Sequence, residues 1–167
     1  MKGGVMEMSA HGIALLAQWE GIREDTYKDS AGLDTIGVGH LITAEEKRTG
    51  TIIIDGAHIP YEAGLTKNQV SLLLRQDLSR FEKAVSDMVA VSLNVNQFDA
   101  LVAFVFNIGI GGFEKSTLLR LLNQGNYDSV PEQLRRWNKA AGQVVQGLVN
   151  RREKEVALWL DKELVPA

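Results

Sequence analysis

The 167-residue chain contains no cysteine. A disulfide framework, a thiolate metal site and a cysteine nucleophile are therefore excluded, and the fold must hold by packing. Histidine is scarce as well. His11, His40 and His58 have no ligand spacing, so a metal centre would have to gather carboxylates from distant segments, and neither metal nor other cofactor is expected. Positive charge is in deficit, with 18 Lys and Arg against 21 Asp and Glu. That balance argues against a nucleic-acid partner, whose phosphates need a basic surface. Long apolar runs are missing too. The opening "MKGGVMEMSAHGIALLAQWE" has one lysine and an apolar run only from Ile13 to Ala17, so it reads as neither a secretory leader nor a membrane span. A cytoplasmic origin without membrane insertion is expected. With three prolines and no Pro/Ser linker, repeat or low-complexity tract, nothing suggests a flexible tether, and 45% hydrophobic content suffices for one compact domain or two small lobes.

What is present is ordered by caps and periods. Ser9 offers an N-cap, Ile13, Leu16 and Ala17 keep one apolar stripe, and Gly21 supplies a stop, so the first helix ends near Glu20. From Arg23 to Thr43 the helical period disappears, and "KDSAGLDTIGVGHLI" alternates small apolar residues with glycine, as strands and tight turns do. In "TIIIDGAHIPY", Asp55-Gly56 signals a hairpin with a type I′ turn. Thr66 with Gln69 forms a capping box ahead of a long helix bearing Leu74, Leu78, Phe81, Val85 and Met88 on one face. Asn94 with Gln97 opens a second, whose Phe98, Leu101, Val102, Val105 and Phe106 make it apolar on most sides, like a buried helix, until "NIGIGG". Short helices are expected from Ser116 to Gln124 and from Ser129, with Pro131 and Glu132 in the first turn, and "GLVNRREKEVALWLDKEL" supplies the last. Trp137 and Trp159 read as core aromatics, and Arg135, Arg136, Lys139, Arg152 and Lys154, interleaved with Glu132, Glu153 and Glu155, as solvated helix faces.

The chemistry concentrates in "WEGIREDTYKDSAGLDTIGVGH". Glu20 stands in the last turn of the first helix, where the dipole presents its negative end, and Trp19 and Ile22 would partly dry it; both work against ionisation. An acid kept neutral beside a second, ionised carboxylate is what a glycosidase needs to protonate a leaving oxygen and to manage water. Asp29 in the turn "KDSAG" is the candidate second acid, with the hydroxyl of Thr35 on the next strand able to hold water without titrating. Glu24, Asp25 and Asp34 remain available as alternatives.

The spacing E-(8 residues)-D-(5 residues)-T followed by "IGVGH" resembles the catalytic signature of the phage lysozymes of glycoside hydrolase family 24, the group that includes the lysozyme of the T-even phages. In the same order as in that family, "LTKNQVSLLLRQDL", "FDALVAFVFNIG", "GFEKSTLLRLLNQGNY" and "GLVNRREKEVALW" resemble its interlobe helix, central helix, following helix and arginine-bearing C-terminal helix. The resemblance spans about residues 9 to 160. It implies an α+β, lysozyme-like, mainly helical fold: a first helix and β-rich lobe over residues 9–65, a connecting helix over 66–90 and a helical lobe over 91–167, with the cleft between the lobes. It also implies Glu20 as general acid, Asp29 as the carboxylate assisting water, Thr35 as the water-holding hydroxyl and Arg151 as the arginine facing the glutamate. His40 would be structural, ion-paired with Asp77. Phe106, Asn107, Ile108 and Gly109 match positions lining the glycan groove. Core packing explains Phe106 equally well, whereas a buried Asn107 amide would need a partner such as a sugar N-acetyl group.

The activity so implied is that of a muramidase, an endolysin hydrolysing the β-1,4 bond between N-acetylmuramic acid and N-acetylglucosamine in bacterial peptidoglycan. The partner is peptidoglycan, the protein a monomer, and release from the host cytoplasm to the periplasm depends on a separate holin-type protein. A lytic transglycosylase, using Glu20 without hydrolytic water, and a non-catalytic peptidoglycan-binding module are the alternatives. A carboxyl separation of roughly 6.5 to 9.5 Å would give inversion, which the resemblance favours. Two departures are expected to alter the cleft: the Thr51 to Tyr61 hairpin replaces a short helix of the best-known members, and the negative net charge removes long-range attraction to an anionic wall.

Overall fold

The computed structural model describes residues 6–161. Helix α1 (Ala10–Glu20) is followed by strands β1 (Arg23–Lys28), β2 (Asp34–Gly37) and β3 (His40–Leu41), then α2 (Ala44–Thr49), β4 (Thr51–Ile54), β5 (Ala57–Pro60) and α3 (Lys67–Met88). Beyond these come α4 (Val95–Ile108), α5 (Ile110–Glu114), α6 (Thr117–Asn123), α7 (Val130–Arg135), strands β6 (Lys139–Ala140) and β7 (Gln143–Val144), and α8 (Gln146–Trp159). The α+β, mainly helical architecture is the expected one. The C-terminal part of "GLVNRREKEVALWLDKEL", from residue 162, lies outside the described residues.

The chain divides into two compact units, Leu16–Ser79 and the residues up to Leu15 together with those from Arg80 onward. Their boundaries fall inside α1 and α3. In the first unit β1, β2 and β3 form an antiparallel sheet in which Tyr27 and Leu41 both lie opposite Thr35. Ile36, Val38, Ile52, Ile54, Val70, Leu73 and Leu78 form its core. Asp55 and Gly56 hold φ of 52° and 80°, the left-handed pair that a type I′ turn requires, and β4 and β5 pair in full register around them. This hairpin follows a short helix, α2, which was unassigned in the sequence, begins with a Thr43/Glu46 capping box and buries no residue.

In the other unit α4 is buried from Phe98 to Val105, as its all-round apolar sequence demands, and α8 packs against it. Both capping boxes named above are formed. Thr66 accepts from the Gln69 amide at 3.1 Å, and Asn94 from the Gln97 amide at 2.8 Å. One polar exception lies within α4: Asp99 is fully buried and accepts from the Ser9 amide (2.9 Å) and hydroxyl. Nearby, the Met8 amide donates to Glu82 and that of Met6 to Ser86, so side chains of α3 and α4 hold the segment leading into α1.

Candidate active site

Glu20 is the last residue of α1 because the helix is closed at both ends. The Ser9 hydroxyl accepts from the Gly12 amide at 3.0 Å, and Gly21, at φ 86°, returns its own amide to the Ala17 carbonyl at 2.9 Å. Glu20 thus stands in the last turn of α1, as expected. Of the two flanking apolar residues only Trp19 is half-buried; Ile22 is 55% exposed and does not dry the site.

Asp29 organises the turn between β1 and β2. Its Oδ1 accepts from the amides of Ala31 (2.9 Å) and Leu33 (2.8 Å), while its own amide donates to the Leu33 carbonyl at 2.9 Å. Oδ2 has no hydrogen-bond partner among the described residues. Thr35 is 1% exposed, and its hydroxyl donates to that same Leu33 carbonyl at 2.8 Å. Leu33 therefore ties Asp29 and Thr35 into one backbone-linked arrangement, and Thr35 is more enclosed than a strand hydroxyl waiting on solvent would be. Asp34, an alternative acid, is paired with Lys28 and, at 3.1 Å, with Lys47, and Lys28 first and Lys47 next hold its carboxyl below the usual range. Glu24 and Asp25 are exposed on β1.

Between Glu20 and Asp29 along the chain lies a residue the sequence reading passed over. Tyr27 is half-buried, and burial first, then the charges of Glu20 and Asp29, push its phenol above its ordinary pKa against the opposing effect of Arg23. Both carboxylates act on this one phenol. Only the strand register discloses the relation, since a tyrosine on an exposed strand carries no signal of its own.

His40 on β3 meets Asp77 of α3, the pair expected, with Nδ1 2.7 Å from Oδ2; its Nε2 lies 2.9 Å from Glu46 of α2, which was not foreseen. Burial opposes the imidazolium, but the two carboxylates outweigh it and raise the ring above the usual histidine value.

The residues expected from the C-terminal half sit in the other unit. Arg151 is 8% exposed, donating to Glu155 at 2.9 Å and to the Ala103 carbonyl at 2.9 Å. Arg152 and Glu155 correct the solvated-face reading: they are 1% and 0% exposed, joined at 2.8 Å, with Arg152 lying 5.0 Å over the Phe104 ring and donating to Asn107. Packing against α4 turns them inward. Burial pushes the Glu155 carboxyl up, against the pull of the two guanidiniums. The expectation of a buried Asn107 amide is also corrected, because Asn107 is exposed at the end of α4 and its oxygen already has the Arg152 donor. Phe106 is half-buried, edge-on to Phe81 at 5.2 Å, the packing role considered for it. Arg135 and Arg136 do remain on the surface, paired with Glu153 and Glu132.

Residues 17–155 match the model of the family described as phage lysozyme. The chain belongs to that family. It is 41% identical to the endolysin of Salmonella phage P22 over 93% of this chain and 99% of the relative. With the endolysin of Bacillus phage PZA it shares 37% identity, over 92% of this chain but 55% of that protein, so the chain spans about half of that relative's length. Among solved structures, a mutant of P22 lysozyme is similar at a TM-score of 0.77 and 40% identity, covering 93% of this chain and 99% of the other. The muramidase domain of SpmX from Asticaccaulis excentricus is similar at 0.75 and 32%, covering 92% and 97%. As a phage lysozyme the protein is a glycoside hydrolase that attacks the bacterial cell wall. Among the described residues no helix is long and apolar enough to cross a membrane.

Proposed function

We propose that the protein is a muramidase that hydrolyses the β-1,4 bond between N-acetylmuramic acid and N-acetylglucosamine, with Glu20 as general acid and Asp29 as the carboxylate that directs water. The observation carrying this is that Glu20 and Asp29 both bear on the phenol of Tyr27, which lies opposite Thr35 in the sheet. Two carboxylates gathered near one sheet position, one at a helix end and one fixed in a turn, supply a donor and a water-activating base. Thr35 acts by donating to the Leu33 carbonyl that also receives the Asp29 amide, which fixes the turn carrying the water-directing carboxylate. The Asp29 carboxylate, fixed in its turn by the Ala31 and Leu33 amides, supplies the base for water that hydrolysis needs and transglycosylation does not.

His40, held by Asp77 and Glu46, supports the site structurally. Inversion at the anomeric carbon is the expected stereochemistry. The enzyme acts as a monomer, accumulates in the host cytoplasm and reaches the wall after a holin-type protein opens the membrane; export of this chain expressed alone would refute that route. The deciding experiment is digestion of purified peptidoglycan with wild type and Glu20→Gln, followed by mass analysis. Hydrated, reducing-end muropeptides from the wild type and a rate lower by at least about 10² for the variant are expected. Anhydro products, or a folded Glu20→Gln variant with near-normal lysis, would overturn the assignment.

A further inference from the structure

Glu20, Asp29 and Thr35 account for the proton and the water, but not for how the sugar is held while both are delivered. We propose that Tyr27 is a substrate-positioning residue whose phenolic O–H donates a hydrogen bond to a glycan oxygen at the scissile linkage. This rests on the reading of Glu20 and Asp29 given above.

The sheet supplies the geometry. Tyr27 of β1 and Leu41 of β3 lie opposite Thr35 of β2, so the three form a row across one face of the sheet. Thr35 in the middle is buried, Tyr27 is half-buried and Leu41 is 50% exposed, which leaves the two ends of the row open to a ligand. The guanidinium of Arg23 stands 4.5 Å from the centroid of the Tyr27 ring and clamps its orientation. The phenolic oxygen accepts from the Gly39 amide, and among the described residues its proton has no acceptor.

Chemistry narrows the partner. Burial holds the phenol above its ordinary pKa, so it is a neutral donor. An anionic ligand group would be repelled by the ionised Asp29. A neutral hydroxyl, ring or carbonyl oxygen of the sugar is the partner that fits.

Tyr27→Phe tests this, because it keeps the ring and the Arg23 stack and removes only the hydroxyl. On purified, peptide-free glycan strands we expect kcat to fall about tenfold with KM within about threefold of wild type, as for an interaction used at the bond being broken. The thermal midpoint should stay within about 2 °C. Wild-type kcat, or a loss confined to KM, would overturn the proposal. Glu20→Gln assayed beside it separates the two claims: an inactive Glu20→Gln with a wild-type Tyr27→Phe sinks the role of Tyr27 alone, whereas an active Glu20→Gln sinks the site assignment and this role together.

Discussion

Replacing Asp77 by Asn would leave the His40 ring its hydrogen-bond geometry while removing one of its two negative neighbours. The side chains of His40, Asp77 and Glu46 are 12%, 16% and 17% exposed, so solvent screens them little. A hydrogen bond to a charged group contributes about 1.5–3 kcal/mol. Because the amide oxygen of Asn still accepts, the lower half of that range applies, about 2 kcal/mol, or roughly 4–8 °C in thermal midpoint for a chain of this length. The sign of the pH dependence follows from the ring. Its folded pKa is raised above the unfolded value of about 6.5, so its contribution is fully present below that value and is lost as pH rises through the folded pKa. The gap between wild type and Asp77→Asn, followed by thermal unfolding, should be widest near about pH 5.5 and narrow by about pH 9. A proton NMR titration should find the His40 ring above the ordinary histidine range and lower in the variant. A deficit that stays constant or widens with pH would refute the account of an imidazolium held by two carboxylates.

Three further outcomes are expected. In Gly12→Ala the new Cβ would stand 2.5 Å from Asp99 Oδ2 and 2.6 Å from its Cγ, and buried Asp99 has little room to yield; a loss of about 1–3 kcal/mol should lower the urea midpoint without changing the slope. Arg152→Met leaves buried Glu155 with Arg151 alone, and a loss of about 3 kcal/mol should lower the thermal midpoint by roughly 6–12 °C, an unchanged midpoint counting against the burial argument. Thr35→Ser retains the donor to Leu33 and should keep most wall-lytic activity in a turbidity assay. Thr35→Val should lose at least about tenfold, and equal activity of the two would deny the hydroxyl any part.

Caps and turns were the most legible part of the sequence, because they depend on neighbours in the chain. Ser9, Thr66 with Gln69, Asn94 with Gln97, and Asp55-Gly56 each stand where their local chemistry put them. Helix α2 escaped because it buries nothing and so has no apolar period, although Thr43 and Glu46 spell the capping box that could have revealed it. Strands β6 and β7 are two residues each, too short for alternation to register. Arg152 and Glu155 were misread as solvated because charge outweighed position. Residues 152, 155, 156 and 159 share one helical stripe, and Val156 and Trp159 on it are buried, which marked the inward face. Tyr27 and Asp99 belong to a different class. Their meaning comes from residues across a sheet or 90 positions away, which no local pattern encodes.

The clasp on the segment ahead of α1 bears on how the nascent chain matures. Ser9 leaves the ribosome early, but the side chain that receives its amide follows 90 residues later, and Glu82 trails Met8 by 74. At roughly 5–20 residues per second of synthesis, the partners of Met8 and Ser9 arrive several seconds after them. Glu20, Asp29 and Thr35, by contrast, lie within Leu16–Ser79, a continuous run whose members emerge together. The candidate catalytic groups can therefore be assembled early, while the start of α1 waits for a stretch of chain not yet made.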